Sequence, residues 1–127
     1  MAKYKILVDT DIFIDYFNRG YLRVLFENRE FQVFYSVVTK RELLSKKGLK
    51  ESEREAILYL LKKCRIINLD QMITLKYSEL RKKYPQGQKE DTLIAATALA
   101  KKLPLLTRNI KHYKKITGLS LFPYPLF

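Results

Sequence analysis

Lys5-Ile-Leu-Val-Asp-Thr-Asp-Ile-Phe-Ile-Asp-Tyr-Phe17 is the stretch on which the fold turns. The apolar run Ile6 to Val8, β-branched at Ile6 and Val8, reads as a short buried strand over residues 4–8. It stops at Asp9, which therefore sits at the carboxyl end of a strand. In open α/β sheets, ligands bind in the crevice outside those ends. After Asp9, Ile12, Phe13, Tyr16 and Phe17 recur at helical spacing, so a helix is expected from Thr10 to Phe17.

Working outward, the pattern repeats. Asn18-Arg-Gly20 breaks the first helix, and a second is expected over 21–29. Phe31 to Tyr35 reads as a strand, followed by a helix from Ser36 to Leu44 that Gly48 stops. Glu51 to Cys64 is amphipathic, with Ile57, Leu60, Leu61 and Cys64 on one face. A brief strand Arg65–Leu69 precedes a helix that Asp70 caps and that runs to Tyr84. Glu90 to Lys102 is apolar almost all round, which predicts a helix buried on most sides. Leu105-Leu-Thr107 reads as strand four, 108–116 as a loop or irregular helix, and Ser120-Leu-Phe122 as a fifth strand before Pro123 and Pro125. This alternation predicts an α/β fold: a parallel sheet of about five short strands with helices on both faces, in one domain over 1–127.

The bulk composition narrows the function. Lys and Arg number 25 against 13 Asp and Glu, a formal net charge of +12. That excess favours a polyanionic partner, nucleic acid first, although a lysine-rich surface also serves solubility alone. The one cysteine, Cys64, allows no internal disulfide and fits a reducing cytoplasm. No segment approaches the roughly 20 apolar residues of a membrane span, and no signal peptide precedes the first strand.

Against this basic background, acids gather at strand ends and helix starts. Asp9 follows strand one, Glu42 lies a turn or so into the helix after strand two, and Asp91 opens the apolar helix. Asn109 follows strand four, with Thr107 beside it. Parallel strands share one carboxyl edge, so Asp9 and Asn109 should be neighbours if their strands are adjacent. Clustered carboxylates raise one another's pKa, and a hard cation such as Mg²⁺ relieves this through oxygen ligands. Each residue also has a plainer reading. Asp9 serves equally as a helix cap. Thr39-Lys-Arg-Glu42 fits a capping box, Asp91 suits a helix dipole, and Asn109 suits a turn. Asp11 and Asp15 read as solvated or supporting residues of the first helix. His112 alone makes no metal site.

Four blocks occur together in one order: Ile6-Leu-Val-Asp-Thr-Asp-Ile-Phe-Ile-Asp15, Ser36-Val-Val-Thr-Lys-Arg-Glu-Leu-Leu44, Glu90-Asp-Thr-Leu-Ile-Ala-Ala-Thr-Ala-Leu99 and Leu103-Pro-Leu-Leu-Thr-Arg-Asn-Ile-Lys-His-Tyr113. Together they resemble the PIN-domain proteins, of the small kind found as VapC toxins in toxin–antitoxin pairs. The resemblance implies a PIN-like three-layer sandwich and a metal-dependent endoribonuclease. It implies that Asp9, Glu42, Asp91 and Asn109 ring Mg²⁺ or Mn²⁺, with Asp9, Glu42 and Asp91 as metal ligands and Thr10 and Thr107 as supporting hydroxyls. The fourth position is often an acid in that family and is an amide here, which lowers the site's negative charge. Metal-activated water would cut RNA to leave 5′-phosphate and 3′-hydroxyl ends. A homodimer and a cognate antitoxin whose segment enters the cleft are implied as well.

Three other readings stay open on the residues. Asp9-Thr-Asp11 resembles the opening motif of haloacid-dehalogenase-like phosphatases, although Phe13 stands where that family prefers threonine or valine. A response-regulator receiver would use Asp9, Asp11 and Asp70, but Leu121-Phe-Pro-Tyr-Pro125 lacks the lysine it needs. A non-catalytic RNA-binding PIN protein would share the fold and the basic charge.

Overall fold

β1 (Tyr4–Val8) lies in the interior of a four-stranded parallel sheet in a computed structural model of the chain, which describes residues 2–123. Met1 and residues 124–127, Pro125 among them, lie outside the described residues. Ile6, Leu7 and Val8 are wholly buried. Successive side chains of a strand point to opposite faces. Accordingly Ile6 and Val8 join one apolar cluster and Leu7 the other.

From β1 the chain runs through α1 (Thr10–Arg19) and α2 (Arg23–Glu27) to β2 (Phe31–Ser36). It continues through α3 (Val37–Leu44) and α4 (Glu51–Lys62) to β3 (Arg65–Ile67). Then α5 (Gln71–Lys83) and α6 (Lys89–Lys101) lead to β4 (Leu105–Leu106), and α7 (Ile110–Tyr113) follows. The strand order is β3-β2-β1-β4, all pairs parallel. α1 to α4 pack on one face, where Ile12, Phe13, Leu25, Leu43 and Ile57 meet Ile6 and Val8. α5 to α7 pack on the other, where Ile73, Leu80, Ile94 and Tyr113 meet Leu7 and Leu105. The result is the expected three-layer arrangement.

The details depart from expectation in three places. The fifth strand is not a strand: Ser120–Phe122 contributes only an isolated bridge between Leu105 and Leu121. The sheet edge there is too short to pair more, because β4 spans two residues and Thr107 turns away to hydrogen-bond carboxylates. Helix two is shorter than 21–29, since Leu22 takes a left-handed conformation (φ 62°) and Asn28 an extended one. The apolar helix ends at Lys101, and Lys102 (φ 55°) forms a left-handed cap.

The topology fixes where the site can be. The chain moves from β1 to β2 and β3 on one side, then returns to place β4 on the other. That makes the β1/β4 boundary the point where the strand order reverses, the place where α/β sheets open a crevice. The register pairs Val8 with Leu106. Asp9 and Thr107 are therefore the first residues beyond the sheet, side by side at that crevice.

Candidate active site

Asp9 forms the floor of the crevice. Its backbone is extended (φ −72°, ψ 157°), and it caps α1 by accepting the Thr10 N–H on Oδ1 at 2.8 Å. The plainer reading of Asp9 as a helix cap is thus true of one oxygen only. The other, Oδ2, accepts the Thr107 hydroxyl at 2.8 Å. Asp9 is 7% exposed, and its pKa is pushed up from the usual 3.8 to about 7. Burial is the main cause. Repulsion from Asp11 comes second, and Asp91 adds a smaller push against the lowering effect of the Thr107 and Thr10 hydrogen bonds. A carboxylate in this position is held at a cost unless a cation joins it.

Glu42 stands at the rim, exposed, on α3. It forms no capping box. Ser36 caps α3 by accepting the Val38 N–H at 3.0 Å, which frees the glutamate. Glu42 Oε1 instead accepts the Thr10 hydroxyl at 2.8 Å, and that hydroxyl lies 2.9 Å from the buried Thr39 Oγ1. Each hydroxyl has one proton, so Thr39 donates to Thr10 and Thr10 donates to Glu42. Thr10 thereby ties Asp9, through its N–H, to Glu42, through its side chain.

Asp91 lies in the first turn of α6, half-buried, and accepts the Tyr113 hydroxyl at 3.2 Å. Tyr113 is 1% exposed, and burial together with the nearby Asp9 and Asp91 drives its pKa far upward, so it stays a neutral donor. Asn109 is the least engaged of the expected residues. Its backbone N–H donates to Thr107 Oγ1 at 2.9 Å, and its side chain does not cap the α7 helix that follows it. Asp9 is thus linked to Glu42 through Thr10 and feels the charge of Asp91, while Asn109 is tied to Thr107, which donates to Asp9.

The structure gives partners to Asp11 and Asp15, which the sequence offers as solvated or supporting residues. Asp11 turns toward Asp9. Its Oδ2 accepts the Arg108 N–H at 3.1 Å and lies 3.4 Å from the Thr107 hydroxyl. Burial raises the pKa of Asp11 as well, against the lowering effect of Arg108. Asp15 is not solvated. It is 5% exposed and pairs with the Arg108 guanidinium at 3.1 Å. Tyr113 and Arg108 carry no local signal in the sequence, and the local pattern at Thr39 points to a cap, because each meets its partner only through tertiary contact.

The oxygen-rich donor set fits a hard divalent cation such as Mg²⁺ or Mn²⁺. Among the described residues, no three acidic, histidine or cysteine side chains are drawn together as a ready-made ligand cage. That is compatible with Mg²⁺, which commonly keeps several waters and takes one or two carboxylates plus substrate phosphate. The repulsion that Asp11 and Asp91 exert on Asp9 is what a cation at this position would relieve.

Replacing Tyr113 by Phe keeps the buried ring and removes only the donor to Asp91. The expected result is about 1 kcal/mol lower stability in urea melts.

A protein-family model described as the PIN domain matches residues 6–118. Ribonuclease VapC1 of Methanocaldococcus jannaschii is 32% identical over 125 residues, covering 94% of this chain and 87% of that protein. Among solved structures, a toxin–antitoxin complex from Klebsiella pneumoniae matches at 32% identity and a TM-score of 0.76, covering 94% of this chain and 98% of the matched one. VapBC2 from Rickettsia felis, bound to a DNA fragment from its promoter, matches at 28% identity and a TM-score of 0.80, over 93% and 97% of the two chains. With the strand order, the acid-lined crevice and these matches in agreement, the chain belongs to the PIN-domain family, as a VapC-like member.

Proposed function

We propose that this chain is a single-domain, divalent-cation-dependent endoribonuclease that acts as the toxin of a toxin–antitoxin pair in the cytoplasm. The observation that carries the reading is the buried Asp9 carboxylate at the β1/β4 crevice, held by Thr107 and Thr10 and repelled by Asp11 and Asp91. Asp9, Glu42 and Asp91 would hold Mg²⁺ or Mn²⁺, with Asn109 as a weaker fourth oxygen. The bound cation would polarise a phosphodiester and supply activated water at neutral pH. The residues present have simpler tasks. Thr107 orients Asp9, the Thr39–Thr10 pair orients Glu42, and Tyr113 orients Asp91.

RNA as the substrate is supported by the net charge of +12 and by lysines that flank the acids. Lys46 borders the groove beside Glu42, and Lys115 borders the small pocket that contains Asp91 and His112. Backbone contacts of this kind release counterions, so the apparent affinity for RNA should fall steeply between 50 and 200 mM salt. An antitoxin segment has a place to bind. A groove of about 490 Å³ between α1, α3 and α4 runs from Thr10 and Glu42 past Ile14, Phe17, Leu49 and Ile57. A homodimer is supported by the exposed apolar residues Ile66, Leu69, Met72 and Leu75, which lie on or after the edge strand β3.

The test is cleavage of structured RNA by purified protein with Mg²⁺ or Mn²⁺, beside Asp9→Asn. Cation-dependent cleavage by the wild type alone is expected. Equal cleavage by the variant, or none by the wild type with either ion, overturns the reading. Release of phosphate from small phosphomonoesters would instead favour the phosphatase alternative.

A further inference from the structure

Among the described residues, Asp11 is the one with a buried side-chain oxygen that lacks a hydrogen-bond partner. That oxygen is Oδ1. Its Oδ2 has one firm donor, the Arg108 N–H at 3.1 Å. The Thr107 hydroxyl is nearer to Asp9, at 2.8 Å against 3.4 Å, and has a single proton to give. Arg108 does not make up the difference. Its guanidinium is 3.1 Å from Asp15 and 3.9 Å from Asp11, so it leans toward the other carboxylate. A buried carboxylate oxygen without a donor is costly and rare, and it calls for an unseen partner. Asp9 Oδ2 and Asp11 Oδ2 both approach the same Thr107 hydroxyl, so the carboxyl group that carries the unpartnered Oδ1 lies beside Asp9.

We propose that Asp11 belongs to the cation site, its unpaired Oδ1 facing the ion or a water that the ion keeps. The proposal rests on the cation reading above and extends it to a residue two positions beyond Asp9. The competing role for Asp11 is purely mechanical: a strut that holds the 107–109 turn through the Arg108 N–H.

Asn is the substitution that separates the two roles. Asp11→Asn keeps an oxygen to accept the Arg108 N–H and removes the charge. Mn²⁺ binding to the full chain, without RNA, is followed by electron paramagnetic resonance and by calorimetry. Asp9→Asn and Asp70→Asn are measured alongside; Asp70 caps α5 and pairs with Lys101, so it controls for the loss of one distant negative charge. The expected result is at least tenfold weaker Mn²⁺ binding for Asp11→Asn, little change for Asp70→Asn and none detectable for Asp9→Asn. Asp11→Ser, which also keeps an acceptor without the charge, should show the same loss if the amide disturbs the turn. Wild-type affinity in both Asp11 variants, with Asp9→Asn inert, overturns the proposal and leaves Asp11 as a strut. Absence of Mn²⁺ binding by the wild type overturns the cation reading itself, and this proposal with it.

Discussion

Asp9→Asn is expected to stabilise the metal-free protein at pH 8 by about 2–4 kcal/mol while abolishing RNA cleavage. The two effects share one cause. In the fold, Asp9 keeps its proton up to about pH 7, whereas the unfolded chain releases it near 3.8. The native state therefore binds more protons than the unfolded state between those values, and stability falls as pH rises through that window. Below pH 4 the contribution is fully present, and above pH 7 it is lost. An amide carries no charge to bury. It still accepts the Thr10 N–H, and its NH₂ can donate to Thr107 once that hydroxyl rotates. Thermal melts in EDTA from pH 4 to pH 8 should fall for the wild type, more shallowly for the variant, and diverge most at the alkaline end. Mg²⁺ should raise the wild-type melting temperature at pH 8 and leave the variant unchanged. Divalent-cation affinity should also climb with pH through about 7, because the ion displaces a proton. A variant less stable than the wild type at pH 8 would contradict this account of Asp9.

Thr107→Val is expected to lower stability by about 2–3 kcal/mol despite its matched shape. Thr107 is 1% exposed, and its hydroxyl serves three groups: it donates to Asp9, approaches Asp11 and accepts the Asn109 N–H. Valine fills the space and leaves the Asp9 oxygen and the Asn109 N–H without partners, both where water has little access. Asp9 should then hold its proton more tightly still, since the Thr107 hydrogen bond lowers its pKa. Cleavage should drop by about a hundredfold, the upper end for a lost orienting group. Thr107→Ser should recover most of both losses. Urea denaturation and single-turnover cleavage of the three proteins check this. Equal stability of the valine and serine variants would show that the hydroxyl network is idle.

Much of this arrangement was legible in the chain. Ile6-Leu-Val8 marks the central strand because a fully buried strand needs no polar alternation. The alternation of strands and helices implies parallel pairing, and parallel pairing puts Asp9 and Thr107 on one edge. Glu42 and Asp91 could be placed near that edge by counting turns from their strands. Asp11 reads from the sequence as a solvated or supporting residue of the first helix, and its place at the 107–109 turn has a definite reason. Residues two apart face different ways only within a helix. Asp9 stands just before α1 with an extended backbone, so Asp11, in the first helical turn, reaches the 107–109 turn instead. Glu42 and Thr39 have a plainer local reading as a capping box, which the tertiary contact of both side chains with Thr10 displaces. Asp15 reads as a solvated or supporting helix residue, and its partner Arg108, distant in the chain, decides for the supporting role and explains its burial. The fifth strand failed because strand pairing depends on the length of its neighbour, and β4 supplies only two residues.

The most direct measurement is the chemistry of the RNA ends produced by the purified protein. Water activated at the Asp9 crevice predicts 5′-phosphate and 3′-hydroxyl ends, formed with Mg²⁺ or Mn²⁺ and abolished by EDTA. Ends bearing 2′,3′-cyclic phosphate, formed equally well in EDTA, would mean that the RNA's own 2′-hydroxyl is the attacking group, and would contradict the account.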